Sequence, residues 1–237
     1  MTIQEIIGNT ISTHNMKIHE VFPILILQDE LKYHQEFKDK YFEELKILWY
    51  NGYENETPEN SGRCSLHLNQ SYNKFFKEIQ KSIFNYLNLL EVDYEKLNIN
   101  FIKSWVGYHN KDIPQLKPHI HNGTDISFCY YLSSDDTSDK FCVHNSNNMN
   151  EISGNLFEPS DKYNTIKKFN KYNCGNYTIT PKEGTVIIFP SNLMHSTLKK
   201  ENLTDRYVIA GDIKLCLKPE YNLHHQSMPH PSLWLSL

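Results

Sequence analysis

The chain has 237 residues, a formal charge of -4 and no long run of Lys or Arg. This length can bury the core of one sizeable domain, and the charge argues against nucleic acid as a partner, because phosphate binding needs a basic face. We find no secretory signal and no apolar run near the roughly 20 residues of a membrane span, so no membrane is expected. The five cysteines form no CxxC pair, which favours a reducing cytoplasm.

The first 96 residues are predicted to be mainly helical. Apolar residues recur at helical spacing from residue 28 to 50 and again from residue 71 to 90. Residues 51–63, between these segments, carry Asn, Pro, Ser and Gly without any periodicity and are predicted to be a loop. We interpret both apolar stripes as core faces of helices that support the rest of the chain.

From residue 97 the pattern changes to short strands separated by turn residues. The predicted strands cover residues 98–106, 126–132, 141–144, 176–180, 184–189 and 206–215. Because no helices are predicted between them, a sandwich or barrel is favoured. The sequence therefore predicts a mainly β (α+β) fold in one domain, 1–237, with helical support over 1–96, a jelly-roll core over 97–216 and a C-terminal tail over 217–237.

Three histidines of the β region suit a metal site. His119 and His121 are two residues apart, so both imidazoles point to one face if the segment is extended. His195 follows a buried strand that Pro190 ends. Imidazole nitrogen is a common ligand of divalent transition metals. Taken alone, the paired histidines could equally be exposed residues at a strand end. The presence of His195 and Arg206 further along the chain makes a metal site the preferred interpretation.

Arg206 opens the last predicted strand, eleven residues after His195. Its planar guanidinium can bind a carboxylate through two parallel hydrogen bonds. The alternative is an ordinary surface ion pair with Glu201 or Asp205.

Several other aromatic and imidazole side chains are given no role in the predicted site. Trp105 is expected in the core rather than beside a substrate, and core packing is as good an interpretation of Tyr131 as any contact with a ligand. Five further histidines are expected to be solvated: His109, His144, His224, His225 and His230.

The ordered set of these residues resembles the iron(II)/2-oxoglutarate-dependent oxygenases. Residues 119–132 are similar to an H-x-H-x-G-x-x-(I/L)-S segment followed by Tyr-Tyr-Leu in a group of bacterial and phage members. Residues 184–195 match G-x-(V/L)-x-x-F-P-S-x-x-x-H, and Arg206 matches a downstream arginine. The resemblance covers residues 97–216 and implies a double-stranded β-helix with N-terminal supporting helices.

This resemblance also implies a function. The chain would be a dioxygenase that uses Fe(II) and 2-oxoglutarate to hydroxylate a substrate, with release of succinate and CO2. The implied metal ligands are His119, His121 and His195. Arg206 would bind the distal carboxylate of 2-oxoglutarate and Tyr131 would donate a hydrogen bond to this cosubstrate, while the polar loop 145–173 would be a lid.

The chain departs from the usual ligand set of this superfamily, which is His-x-Asp/Glu with a distant His. His121 stands where the carboxylate is expected, and Asp125, four residues later, is a rival third ligand. With three neutral imidazoles, iron(II) and dianionic 2-oxoglutarate make a neutral centre, whereas a carboxylate ligand would add one negative charge.

Two other interpretations remain open on the sequence. The H-x-H-x(3,4)-E motif of cupins nearly fits His119, His121 and Asp125, and a cupin could be an isomerase, a cosubstrate-independent dioxygenase or a sugar-binding sensor. A non-catalytic member of the fold is the second alternative, because the ligand carboxylate is missing. Arg206 and the Phe-Pro-Ser segment favour the oxygenase. The sequence does not identify the substrate, which is expected to be a small molecule or a peptide. The resemblance is compatible with a homodimer.

Overall fold

The computed structural model describes residues 20, 23–51, 65–113, 115–135, 139–145, 166–199, 204–221 and 231–235. Its main elements in chain order are β1 (Leu27–Glu30), α1 (His34–Asn51), α2 (Asn73–Leu89), β2 (Leu97–His109), β3 (Ile126–Ser133), β4 (Phe141–His144), β5 (Asn176–Ile179), β6 (Thr185–Pro190), β7 (His195–Thr197) and β8 (Arg206–Leu217). Nearly all of the predicted loop 51–63 and most of the predicted lid 145–173 lie outside the described residues, as do His224, His225 and His230.

The strands form two antiparallel sheets between which the chain alternates. The major sheet has the order β1-β6-β3-β8-β2 and the minor sheet the order β5-β4-β7. From β3 onwards the chain passes from the major sheet to β4 and β5, back to β6, across to β7 and back to β8. An isolated antiparallel bridge between His119 and His195 adds the segment before β3 to the edge of the minor sheet. Because this interleaving of two sheets is that of a jelly roll, the predicted fold is confirmed.

Strand β3 is buried on both faces, which explains its continuous apolar sequence. Its even-numbered residues, such as Phe128 and Tyr130, belong to the core cluster that contains the helices. Its odd-numbered residues, Cys129 and Tyr131, belong to a second cluster with residues of the minor sheet. The major sheet therefore separates a helix-covered outer face from the interior of the jelly roll.

The two helices cover the outer face through stacked aromatic rings. The Phe37 ring of α1 lies 4.4 Å from the Phe75 ring of α2, and Phe75 lies 4.9 Å from Tyr130 of β3, between ring centroids. All three side chains are at most 1% exposed. Burial of one such ring contributes about 2–3 kcal/mol, so this stack is a main source of stability. Neither described helix is long and apolar enough to span a membrane.

The N-terminal third differs from its prediction at one point. The first helix begins at His34 rather than residue 28, because Leu27–Glu30 form strand β1. Leu27 pairs with Ile188 and Glu30 with Thr185 at the edge of the major sheet. The polar residues of this strand are compatible with an edge position, and its extended conformation is set by pairing with β6.

The short strand β7, His195–Thr197, was not predicted from the sequence.

Candidate metal centre

His119, His121 and His195 meet beside the edge of the minor sheet that strand β7 forms. One side-chain nitrogen of each histidine lies within 4.8 Å of those of the other two. The ring centroids are 4.3 Å apart for His119 and His195, 5.1 Å for His121 and His195, and 5.3 Å for His119 and His121. Within the described ranges, no other group of three His, Cys, Asp or Glu side chains has a geometry that could hold a metal ion. The three histidines that the sequence singled out are thus brought together.

Backbone hydrogen bonds fix the two segments that carry these histidines. The His119 N–H donates to the His195 carbonyl and the His195 N–H to the His119 carbonyl, both at 3.0 Å, and the His121 N–H donates to the Ser191 carbonyl at 2.9 Å. Gly123 then turns the chain into β3 with a φ of 78°, a conformation that L side chains rarely adopt. The two segments are therefore held together by main-chain pairing rather than by the side chains of the site.

All three imidazoles turn Nδ1 towards an oxygen atom. The Nδ1 atom of His119 lies 2.8 Å from the Lys117 carbonyl oxygen, and Nδ1 of His195 lies 2.8 Å from the Leu193 carbonyl oxygen. Nδ1 of His121 lies 2.6 Å from Oδ1 of Asp212. Because carbonyl and carboxylate oxygens only accept, each Nδ1 carries a proton, and Nε2 is the nitrogen left to bind a metal. This donor set fits a divalent transition metal such as iron(II).

His195 is the most buried of the three ligand candidates, with 6% of its surface exposed. Its ring lies 4.7 Å from that of Phe189 and 5.3 Å from that of Phe141, between centroids. Burial lowers the pKa of His195 to about 4, although the hydrogen bond to Leu193 opposes this shift. His195 is therefore neutral near pH 7, as a metal ligand must be.

Asp125, the rival third ligand, points away from the imidazoles. Its Oδ1 accepts a hydrogen bond from Lys214 Nζ at 3.0 Å, and its Oδ2 accepts one from the Leu215 N–H at 2.7 Å. The group with metal-binding geometry does not include it. The arrangement therefore favours His121 as the third ligand, and Asp125 anchors the end of β8 to the loop before β3.

Asp212 is a site residue that the sequence analysis missed. It is 5% exposed on β8, and its Oδ1 accepts hydrogen bonds from His121 and, at 2.8 Å, from Ser127 Oγ. Ser127 and Ser191, whose hydroxyls are 2.8 Å apart, were matched to sequence motifs without any role. One signal was present in the sequence, because Asp212 is the only charged residue in the otherwise apolar run 207–213.

Arg206 and Tyr131 both lie inside the jelly roll. Arg206 is 4% exposed, so the surface ion pair proposed as its alternative is wrong, and its Nη1 lies 3.4 Å from Oδ1 of buried Asp139. Burial raises the pKa of Tyr131 well above its usual value, whereas the charge of Arg206 acts to lower it. Burial likewise raises the pKa of Cys129 to about 11 against the effect of Arg206. The charge of Arg206 thus acts on both side chains.

A cavity of about 520 Å³ opens beside the histidines. Trp105 lines it together with Lys103, and the Trp105 ring lies 5.8 Å from that of His121. The expectation that Trp105 is a core residue is therefore wrong. The cavity also contacts His119, Ile120 and Asp212. Its volume is within the range of about 300–1,000 Å³ that is usual for small-molecule sites.

Two histidines expected in solvent are not there. His109 is only 4% exposed and pairs with Arg206 in the register of β2 and β8. His144 is half-buried, and its Nε2 lies 2.8 Å from Ser196 Oγ. The burial of both histidines results from strand pairing, which places the ends of β2 and β4 inside the jelly roll.

Residues 103–212 match a protein family described as "Putative 2OG-Fe(II) oxygenase". The matched segment contains His119, His121, His195 and Arg206, and no curated protein sequence matches the chain.

The solved structures that align with this chain have low sequence identity to it. The non-heme alpha-ketoglutarate-dependent epimerase SnoN from nogalamycin biosynthesis aligns at a TM-score of 0.50 and 12% identity over 80% of this chain and 78% of that one. HygX from Streptomyces hygroscopicus, with nickel and 2-oxoglutarate bound, aligns at a TM-score of 0.49 and 13% identity over 81% of this chain and 83% of that one. A Pseudomonas putida prolyl-4-hydroxylase aligns at a TM-score of 0.48 and 10% identity over 80% of this chain and 86% of that one. SnoN supports the fold alone.

The family match covers most of the jelly-roll core and includes the histidine site, so this segment of the chain is similar to the iron(II)/2-oxoglutarate-dependent oxygenases. The match bears out the resemblance found in the sequence over residues 103–212.

Proposed function

We propose that this chain is a hydroxylase that uses iron(II) and 2-oxoglutarate, with His119, His121 and His195 as the iron ligands. The observation that carries this proposal is the convergence of three imidazoles whose Nδ1 atoms are all engaged as donors, which leaves three Nε2 lone pairs for one cation. Bound iron(II) and 2-oxoglutarate would supply the activation of O2 that oxidises a substrate C–H bond.

Arg206 is proposed to bind the distal carboxylate of 2-oxoglutarate. It lies on the same face of β8 as Asp212, and the residues of this face between them, Val208 and Ala210, are small. Val208 and Cys129 lie inside the jelly roll without being fully covered, which indicates space beside them. The five-carbon diacid would then lie between the histidines and Arg206, and Asp139 would share the guanidinium with it.

Tyr131 is proposed to help orient the cosubstrate. It lies on β3 beside Val208 in the pairing of β3 with β8, and it is 1% exposed. Its burial favours the neutral phenol, which can donate a hydrogen bond to a carboxylate. The surrounding Phe141, Ile187 and Phe189 exclude water from this part of the site.

The substrate is proposed to bind in the cavity lined by Trp105 and Lys103. This cavity reaches His119 and His121 from the outside, so a small molecule or an extended peptide segment placed there contacts the metal site. Trp105 offers an apolar ring surface, and Lys103 lies over that ring at 4.9 Å. The cytoplasm is the proposed location, since the four cysteines in the described ranges are free thiols.

The proposal is tested by anaerobic reconstitution followed by turnover. Addition of Fe(II) and then 2-oxoglutarate to the purified protein should give a weak charge-transfer band in the visible, and admission of air should give succinate. A cupin that needs no cosubstrate, or a non-catalytic member of the fold, gives neither signal. The absence of both the band and succinate would contradict the proposed cofactors.

Hydroxylation is distinguished from other oxidative reactions by whether an oxygen atom of O2 enters the product. With 18O2 and an accepted substrate, a hydroxylase places one labelled atom in succinate and one in the product hydroxyl. An epimerisation leaves the product unlabelled, and mass spectrometry of the product decides between them.

A further inference from the structure

Asp212 contacts the metal site through one specific histidine. Its carboxylate lies 2.6 Å from Nδ1 of His121, and its side chain is 7% exposed. The other two histidines donate instead to neutral backbone carbonyls, at Lys117 and Leu193. His121 is therefore distinguished among the three by a charged hydrogen-bond partner.

We propose that Asp212 is a positioning residue that supplies, through His121, the negative charge that a carboxylate ligand supplies in related metal sites. This inference rests on the proposed iron site. His121 occupies the ligand position where the superfamily has Asp or Glu, and Asp212 stands directly behind that same ligand. If iron(II) and dianionic 2-oxoglutarate are bound, the three imidazoles leave the centre neutral, and Asp212 adds one negative charge. The total then equals that of the usual centre with two histidines and one carboxylate.

The physical effect of Asp212 is twofold. As an acceptor it fixes the proton of His121 on Nδ1, which directs the Nε2 lone pair towards the other two imidazoles. As an anion it makes the imidazole a stronger electron donor, because the Nδ1–H bond is polarised towards the carboxylate. A neutral acceptor in the same place would keep the first effect and lose most of the second.

Buried hydroxyl groups hold Asp212 in this position. Ser127 Oγ donates to Asp212 Oδ1 at 2.8 Å and lies 2.8 Å from Ser191 Oγ, which in turn is hydrogen-bonded to Thr124 Oγ1. Ser127 and Ser191 are fully buried. The network links β3, β6 and β8 to the His121 segment, so the carboxylate has little freedom to turn away from the imidazole.

The decisive variants are Asp212→Asn and Asp212→Ala. Asparagine keeps an oxygen acceptor for His121 without the charge, and alanine removes both. The matched control is Asp125→Asn, because Asp125 is a nearby carboxylate that pairs with Lys214 and the Leu215 N–H instead of an imidazole. Each protein is titrated anaerobically with Fe(II) or Co(II) alone, and the thermal unfolding of the metal-free forms is compared.

The expected loss of metal affinity is about 10-fold to 100-fold for D212N and at least as large for D212A. D125N should bind metal like the natural protein. A spectroscopic change should accompany the loss, since removal of the charge lowers the energy of the iron d electrons. The Fe(II)–2-oxoglutarate charge-transfer band of D212N should therefore move to shorter wavelength. Unchanged affinity together with an unchanged band in D212N would overturn the inference.

A second measurement needs no variant. In 15N-edited NMR of the protein, His121 should show a far-downfield proton on Nδ1, as its hydrogen bond to Asp212 requires. A His121 ring without a proton on Nδ1 would overturn the inference even if D212N failed to fold. The two proposals fail separately: if the natural protein binds no metal through the histidines, the proposed function fails, whereas normal binding that is indifferent to Asp212 overturns only this inference.

Discussion

The two faces of the major sheet carry different kinds of side chain. The outer face is filled by large apolar rings, of which Phe37, Phe75 and Tyr130 are examples, and these rings pack against the helices. The inner face carries Arg206 at the start of strand β8 and Asp212 at its middle, with Val208 and Ala210 between them. The same strands thus contribute most of the hydrophobic core on one side and a polar, incompletely filled site on the other.

This difference teaches that stability and function can be perturbed separately in one sheet. Changes on the outer face remove buried apolar contacts and should lower the free energy of unfolding without touching the metal site. Changes on the inner face alter charges and ligands and should change binding at small cost in stability. The predictions below test this separation, in order of decreasing expected effect.

His195→Ala should abolish succinate formation and weaken metal binding by more than about 100-fold, because it removes one of three ligands whereas loss of a supporting residue alone costs about 10-fold to 100-fold. His144→Ala is the matched control, since His144 is half-buried on the neighbouring strand β4 and contacts Ser196 instead of the site. Metal titration and turnover of both variants check the prediction. Equal metal binding by H195A and H144A would contradict it.

Phe75→Ala should destabilise the protein by about 3–5 kcal/mol, because it leaves a cavity within the aromatic stack of the outer face. The measurement is urea unfolding followed by circular dichroism. Lys77→Ala, an exposed change on the same helix, should stay within about 0.5 kcal/mol of the natural protein. Metal affinity of folded F75A should be unchanged, and a large loss of affinity would show that the two faces are not independent.

Gly211→Ala should destabilise by about 1–3 kcal/mol, since a Cβ atom there would lie 2.5 Å from Phe128 Cε1 and 2.8 Å from the Lys103 carbonyl oxygen. Gly211 faces outwards between the inner residues Ala210 and Asp212. Urea unfolding again gives the free energy. An unchanged free energy of unfolding would contradict this prediction, because it would mean that Phe128 and the β2 backbone shift at little cost to make room for the methyl group.

Arg206→Lys should raise the KM for 2-oxoglutarate by about tenfold, equivalent to about 1.4 kcal/mol, because lysine keeps the charge opposite Asp139 but loses the planar two-point contact. Metal affinity measured without 2-oxoglutarate should not change. Steady-state kinetics with varied 2-oxoglutarate gives the KM. An unchanged KM would remove Arg206 from the proposed cosubstrate site.

The sequence predicted those parts of the fold that local pattern determines. Helix α2 and strands β3, β6 and β8 have clear periodicity or apolar runs and were found near their true bounds. Strand β1 was taken for helix because its extended form depends on pairing with β6, far away in the chain. Strand β7, with three residues, is too short to carry a pattern of its own.

The site was predictable to the extent that its residues stand in recognisable motifs. His119, His121 and His195 were found by spacing, and the structure brings them together. Asp212 was missed because its role depends on the register that pairs it with Ser127 and on the loop that carries His121. Trp105 and His109 were misjudged for the same reason, since alternation along β2 does not reveal which face is enclosed.

The most direct test of the central claim is a crystal structure with Mn(II) and 2-oxoglutarate bound, using anomalous scattering to locate the metal. The account predicts one metal peak about 2.0–2.3 Å from Nε2 of His119, His121 and His195, with Asp125 still bonded to Lys214. A metal bound by Asp125 in place of His121, or imidazoles that stay apart around an empty centre, would contradict it.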